Sequence, residues 1–333
     1  MPTKPIFGVI GGGSFGTALT KILNDNGYPV QWYVHEESMA NAINATGKNP
    51  NYLKEVSLNT DLVRASVSLS ESLDGVSVVF LVVPSAFVHS LLHDRKFLIK
   101  DQVVFSAIKG IVPETGQVIQ EYLIDHCNVS EKTFGVIAGP AHAEEIALEH
   151  MSYLTVASNA TPWAIMIQQA LSNHYVKVNL TVDSIGIEYA AVLKNVYAIA
   201  SGIADGLDFG DNFQSVLISN AIREMKRFIS RVHKIKRNIN HSAYLGDLLV
   251  TAYSKHSRNR QFGLLLAQGK TENEIKQSMS MVAEGAFAVR PLYAIAKKQD
   301  RKLKTPILDA VYEVLANQQD PQKIFEALKL KLT

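Results

Sequence analysis

"FGVIGGGSFGTAL", Phe7 to Leu19, carries an apolar stretch straight into three consecutive glycines and then into a helix-like sequence. Gly11, Gly13 and Gly16 stand at the spacing G-x-G-x-x-G, where the missing Cβ lets the chain turn tightly and lets a ligand approach the main chain. Ile6 to Ile10 reads as a short buried strand, and Ser14 to Asn26 carries apolar residues at helical spacing. Strand, glycine turn and helix together bring unpaired backbone N–H groups and the positive end of a helix dipole against an anion, as a dinucleotide pyrophosphate requires. A turn that only joins strand to helix is the alternative, and the motif's context favours the ligand.

Working outward, 333 residues imply about two domains, and 47% hydrophobic content supplies sizeable cores. A net charge of +2 gives no global pull toward nucleic acid or acidic membrane, so no nucleic-acid partner is expected. Cys127 is the only cysteine, which rules out an internal disulfide and a cysteine-rich metal site and fits a reducing cytoplasm. No metal is expected. "MPTKPIFGVI" lacks the flanks of a signal peptide, and runs such as "VVFLVVP" fall far short of a membrane span.

Strand-like runs recur at 29–34, 76–83, 102–108, 133–138 and 153–158, mostly separated by helical patterns. Their continuous Val, Ile, Leu and Phe content predicts strands buried on both faces, hence an α/β fold with a Rossmann-type, largely parallel sheet. From about Ile185 the period becomes 3.6, so the expected division is a dinucleotide-binding domain over 1–186 and an all-helical substrate-binding domain over 187–333.

Ligands of open α/β sheets sit beyond the carboxyl ends of the strands. "VVPSAF" puts Pro84 and Ser85 at one such end, and "SAIKGI" puts Lys109 and Gly110 at the next. Lys109 is either a cleft-facing cation or a solvated loop lysine. "IAGPAHAEEIA", 137–147, is either an ordinary Pro-initiated helix or a second ligand-facing helix start. In "EYAAVLKNVYAIASGIADGLDFGDN", Lys194 and Asn195 interrupt an apolar, small-residue helix. A lysine buried there loses basicity and becomes fit for proton transfer; one on the polar face merely snorkels. Asp247 and the trio Ser257, Arg258 and Asn259, directly before a helix-like "RQFGLLLAQG", offer a hydroxyl, a guanidinium and a helix start, the parts of a phosphate cradle.

"GVIGGGSFGTALT", "SAIKGI", "GPAHAEEI", "LKNVYAIASGIADGL", "GDLLVT", "SRNRQFG" and "VAEGAFAV" occur in the order and spacing of the bacterial-type NAD(P)-dependent glycerol-3-phosphate dehydrogenases, which the chain resembles over nearly its whole length. The resemblance implies interconversion of sn-glycerol 3-phosphate and dihydroxyacetone phosphate, a homodimer, and a supply of glycerophosphate for phospholipids. It implies Lys194 as proton donor and acceptor. It implies substrate contacts at Lys109, Gly139, Ala141, Asp247, Ser257, Arg258 and Asn259. Cofactor contacts are implied at Gly11, Gly13, Ser14, Phe15, Gly16, Lys109, Ala143, Arg258, Val282 and Glu284. A dehydrogenase of a hydroxy acid or sugar acid would share the Rossmann half and the Lys194-Asn195 pair but not Asp247 with Ser257-Arg258-Asn259. A non-enzymatic dinucleotide sensor would need neither lysine.

Three departures from the family pattern stand out. Ala141 replaces a residue that is often polar, Tyr244 sits where glycine is common, and 223–238, "REMKRFISRVHKIKRN", carries seven Lys or Arg against one Glu. This last stretch reads as a basic amphipathic helix whose plain role is a solvated face, with peripheral contact to acidic lipid as the lesser reading. In "WYVHEESM", His35 takes the strand-end position where relatives often have arginine, and Glu36 and Glu37 follow. An acidic residue there takes the ribose hydroxyls of NAD, whereas a cation admits the 2′-phosphate of NADP. With His35 in the pocket, the expectation is use of both cofactors with a modest NADP preference that grows as the imidazole gains a proton.

Overall fold

A computed structural model describes residues 4–254, 257–279, 283–299 and 303–333. The chain divides into two compact units: Met1–Val83, Phe87–Ile108 and Ile119–Ser184 form the first, and Pro84–Ala86, Lys109–Val118 and Ile185–Thr333 the second. Chain order does not coincide with spatial grouping, because two short stretches after strand ends join the helical unit.

Strands run in chain order as β1 (Phe7–Ile10), β2 (Val30–Tyr33), β3 (Val63–Ser66), β4 (Val78–Leu81), β5 (Val104–Ser106), β6 (Ile111–Val112), β7 (Gln117–Val118), β8 (Phe134–Ala138), β9 (Ser152–Ala157) and β10 (Val176–Thr181). Eight of them make one sheet in the order β10-β9-β8-β5-β4-β1-β2-β3, and β6 and β7 form a hairpin in the second unit. Central β1 pairs in parallel with both β2 and β4, Phe7 opposite Val30 and Val78. All four residues of β1 and of β4 are buried, which is why both read as unbroken apolar runs. β9 meets β8 antiparallel and β10 runs parallel to β9, so the last two strands oppose the other six. Apolar content marked β9 as a strand but encodes no direction.

Edge strands β3 and β10 escape a reading based on apolar runs. Each alternates buried residues with exposed ones such as Arg64 and Lys177. Polar outward positions are what an unpaired sheet edge requires. Phe7, Trp32, Phe80 and Phe105, all fully buried, anchor the core of this unit.

The second unit is built of helices, and its central crossing is made by glycine. Helix Ser184–Gly206 meets helix Arg258–Ala267 so closely that a Cβ on Gly202 would lie 1.9 Å from the Arg260 carbonyl oxygen, and one on Gly263 would lie 2.0 Å from that of Ile199. Backbone rests on backbone. The basic stretch 223–238 is not one amphipathic helix. Helix Gly210–Val232 ends inside it, and 233–238 is irregular. Its one acid, Glu224, is fully buried.

Glu224 has a structural task that the sequence conceals. Helix Pro306–Leu315 has no side-chain cap of its own at Thr305, and Pro306 brings no N–H. The Glu224 carboxylate instead accepts the Ile307 N–H at 2.9 Å and the Leu308 N–H at 3.0 Å, capping the helix from a distant segment. Burial nevertheless pushes this carboxyl up to about 7, the two N–H donors opposing that shift. A carboxyl raised in the folded state stabilises fully below its ordinary value of 4.5 and loses that contribution as pH rises to about 7. Wild type is therefore expected to lose stability relative to Glu224→Gln between those values, by up to about 3 kcal/mol at 1.36 kcal/mol per pKa unit. Unfolding midpoints of both proteins across pH 4–8 check this; parallel profiles would remove Glu224 as the source.

Candidate active site

The glycine loop belongs to the first unit, and its glycines answer to different constraints. Gly11 has φ +132°, and a Cβ there would stand 2.8 Å from the Val82 carbonyl oxygen. A Cβ on Gly16 would lie 2.0 Å from the Gly11 carbonyl oxygen, so this glycine lets helix Ser14–Asp25 sit against the turn. Gly13 differs. Its φ of −75° suits any residue, and nothing lies within 4 Å of where its Cβ would be. Nothing in the protein's own packing calls for glycine at 13, so the open space fits a bound pyrophosphate at the helix start. Ser14 opens that helix and Phe15 packs against the core.

His35 is exposed just past β2, and Glu36 precedes helix Glu37–Thr46, with Asn51 Nδ2 3.4 Å from its carboxylate. Gly139, at φ +132°, has no room for a Cβ because the Tyr153 carbonyl oxygen lies 2.4 Å away. Ala141 and Ala143 are buried, and the short helix Ala143–Ala147, which packs on helix Ser14–Asp25, starts three residues after Pro140. It is not Pro-initiated; His142 stands at its N-cap.

In the second unit the chemistry gathers around Lys194. Its side chain is buried in the middle of helix Ser184–Gly206, and its Nζ donates to Oδ1 of Asp247, itself 1% exposed. Asp247 opens helix Asp247–Tyr253 directly after a π-helical turn, Ser242–Gly246. Such wide turns shift a side chain's direction and recur at functional sites. Asp247 Oδ2 is buried without a hydrogen-bond partner among the described residues. A buried lone pair of this kind fits a ligand hydroxyl. Desolvation lowers the Lys194 ammonium to about 7; the Asp247 charge opposes that shift and the nearby Lys109 charge reinforces it. Near neutrality the amine is therefore present in both protonation states, as proton transfer demands.

Asn195, next along the helix, donates its Nδ2 to the Lys109 carbonyl at 2.8 Å and so ties that loop to helix Ser184–Gly206. Asn259 accepts the Gly285 N–H at 2.9 Å, and Gly285 packs so tightly on the Asn195 carbonyl that a Cβ would come within 2.7 Å. Ser257 caps helix Arg258–Ala267 by accepting the Arg260 N–H at 3.3 Å, leaving its hydroxyl proton to donate. Arg258 begins that helix, partly exposed, with its charge near Glu284. Glu284 accepts both the Ser85 backbone N–H, at 2.9 Å, and the Ser85 hydroxyl. A side chain at Gly110 would collide with both partners.

Lys109, Lys194, Asp247, Ser257, Arg258, Asn259 and Glu284 thus share the second unit, while Gly11, Gly13, Ser14, Phe15, Gly16, His35, Gly139, Ala141 and Ala143 belong to the first. Val282 lies outside the described residues. The sequence assigns no role to Ser85 or Asn195; the signals it carries are a serine at a strand end and a carboxamide in an apolar helix. Among the described residues no group of three or more His, Cys, Asp or Glu could hold a metal ion.

Two family profiles match the chain: NAD-dependent glycerol-3-phosphate dehydrogenase N-terminus over residues 7–164, and NAD-dependent glycerol-3-phosphate dehydrogenase C-terminus over 183–326. A glycerol-3-phosphate dehydrogenase (NAD(P)+) of Exiguobacterium sp. is 35% identical over 94% of this chain and 92% of its own. One of Geobacillus kaustophilus is 36% identical over 96% and 93%. The crystal structure of glycerol-3-phosphate dehydrogenase from Coxiella burnetii superposes with a TM-score of 0.89 at 30% identity, covering 98% of this chain and 99% of that one.

Gly13 supplies a direct check on the cradle. Gly13→Val places carbon where the structure holds open space and asks nothing unusual of the backbone. It is expected to keep the wild-type unfolding midpoint within a few degrees while weakening NADH and NADPH binding at least tenfold, on the order of 1.4 kcal/mol or more. Calorimetry and fluorescence titration on the same sample read both; unchanged affinity would place the cofactor elsewhere.

Proposed function

The chain belongs to the NAD-dependent glycerol-3-phosphate dehydrogenase family, and we propose that Lys194 is the residue that moves the proton in its reaction. The enzyme is an NAD(P)-dependent oxidoreductase that interconverts sn-glycerol 3-phosphate and dihydroxyacetone phosphate, supplying glycerol 3-phosphate for phospholipids. When bound, a nicotinamide cofactor would accept or supply the hydride exchanged with substrate C2. In oxidation the neutral Lys194 amine takes the C2 hydroxyl proton as the C2–O bond becomes a carbonyl; in reduction the ammonium returns it. Asp247 orients that amine through Oδ1 and offers Oδ2 to a substrate hydroxyl. Arg258, the Ser257 hydroxyl and the start of helix Arg258–Ala267 take the phosphate, a charge-assisted contact at a helix N-terminus. Lys109 and Asn259 complete the second unit's substrate contacts, and within the first unit Gly139 and Ala141 offer backbone. Within the second unit Lys109, Arg258 and Glu284 are the cofactor contacts, and within the first Ala143 joins the glycine loop.

The burial of Lys194 in a hydrogen bond to Asp247, whose second oxygen is left for a ligand, is the observation that carries this assignment, and the same burial lowers the amine's basicity. Cofactor choice follows from His35. Its exposed ring directly follows β2, where a ribose 2′-phosphate would be read, and the Glu36 carboxylate beside it lies 3.4 Å from Asn51 Nδ2. Both cofactors are used, with a modest preference for NADP. The assembly is a homodimer, and the enzyme works in the cytoplasm; no helix among the described residues is long and apolar enough to cross a membrane.

Lys194→Ala is expected to lower kcat by about 10²-fold or more with cofactor affinity nearly intact. In wild type the rate of dihydroxyacetone phosphate reduction, which needs the ammonium, falls as pH rises through about 7, and glycerol 3-phosphate oxidation, which needs the amine, rises over the same range. Initial rates of NAD(P)H oxidation and NAD(P)+ reduction from pH 5.5 to 9 test both; near-wild-type turnover in Lys194→Ala would remove it from the mechanism.

For the cofactor, His35→Ala is expected to lower kcat/KM for NADPH more than for NADH, because the imidazole donates a hydrogen bond to the 2′-phosphate. A wild-type preference for NADH that His35→Ala leaves unchanged would mean that Glu36 faces the ribose.

A further inference from the structure

In the glycine loop three successive carbonyl groups are all engaged by buried donors. The Trp32 indole N–H donates to the Gly11 carbonyl at 2.9 Å. Asn49 Nδ2 donates to the Gly12 carbonyl at 2.9 Å. The Thr17 hydroxyl donates to the Gly13 carbonyl at 3.0 Å. Trp32 and Thr17 are fully buried and Asn49 is 1% exposed, so none of the three is a surface accident.

A trans peptide is planar, with its C=O and the following N–H pointing in opposite directions. Holding the carbonyls of Gly11, Gly12 and Gly13 on their donors therefore fixes the planes of those peptides, and with them the directions of the N–H groups of Gly12, Gly13 and Ser14. Successive N–H groups held in this way can form an anion-binding concavity. The loop is thus pre-shaped before any ligand arrives, and its ordering cost is met during folding rather than during binding.

Asn49 is the centre of this arrangement. Its other Nδ2 hydrogen reaches the Thr17 hydroxyl at 2.9 Å, so it also orients the group that holds Gly13. Its Oδ1 accepts the Asn51 N–H at 3.0 Å and the Tyr52 N–H at 3.2 Å. Both donors and both lone pairs are used, and only a carboxamide offers that set. The segment carrying it is itself held at Gly47, whose carbonyl accepts the Leu58 N–H at 2.9 Å.

We infer that Asn49, acting with Thr17 and Trp32, is a positioning residue that fixes the direction of the glycine-loop N–H groups and thereby sets affinity for the dinucleotide pyrophosphate. The inference rests on the assignment of that loop to the cofactor. Both nicotinamide dinucleotides carry the same pyrophosphate, so the effect is equal for the two.

The test measures Kd for NADPH and NADH by fluorescence titration and adds steady-state kinetics with dihydroxyacetone phosphate. Asn49→Ala is expected to raise both Kd values about tenfold, with the NADPH-to-NADH ratio, kcat at saturating cofactor and KM for dihydroxyacetone phosphate within twofold of wild type. Asn49→Asp, which places lone pairs against the Gly12 carbonyl and a negative charge near the pyrophosphate, is expected to be worse than Asn49→Ala. Thr17→Val should reproduce the loss and Thr17→Ser should restore wild-type binding. That pair keeps the test decisive if the Asn49 variants do not fold. A purely structural role for Asn49 lowers the unfolding midpoint without moving Kd of the folded protein, and that result overturns the inference. Wild-type protein that binds neither dinucleotide, or Gly13→Val that binds them normally, overturns instead the assignment of the loop.

Discussion

An amine held out of water governs the second unit. A charged lysine in an apolar helix is unfavourable by several kcal/mol unless it is paired or gives up its proton. The site meets that demand from both directions, with Asp247 beside the amine and a proton held loosely enough to leave near neutrality. The surrounding structure keeps this compromise in place. A π-helical turn delivers Asp247, Thr251 braces its backbone by donating to the Asp247 carbonyl at 2.7 Å, and Asn195 pins the loop that carries Lys109. Loosening any of these readmits water, and the amine returns toward an ordinary, poorly matched basicity.

The first unit works by the opposite means. No charged side chain is buried in its glycine loop. What its glycine loop offers an anion is backbone dipoles, with Trp32, Asn49 and Thr17 hydrogen-bonded to the carbonyls of the same peptides. One unit is thus marked by a displaced titration, the other by peptide planes held in place.

Much of this was legible in the sequence, for reasons that can be traced to particular residues. Central strands β1, β4 and β8 are buried on both faces and so are written as apolar runs. Lys194 was visible because a cation is out of place among Ala, Val and Ile. What stayed hidden depends on partners far along the chain. Nothing in "KNPNYL" says that Asn49 reaches Gly12, 37 residues away, or that Ser85 meets Glu284 across 199. Glu224 looked like the one acid in a basic stretch until its burial against helix Pro306–Leu315 gave it a task. The direction of β9, the edge strands and the break of the basic stretch after Val232 are likewise tertiary facts, without a local signature.

The glycine crossing of helices Ser184–Gly206 and Arg258–Ala267 has a consequence for register. Side-chain contacts between helices can slide by an ångström and settle again; carbonyls lodged against glycine Cα atoms at Gly202 and Gly263 cannot. Lys194 rides on one of these helices and Arg258 begins the other, so the backbone that carries the buried amine keeps a fixed setting against the backbone that carries the guanidinium. A methyl group added at either glycine would have to part the two helices, and those two residues with them.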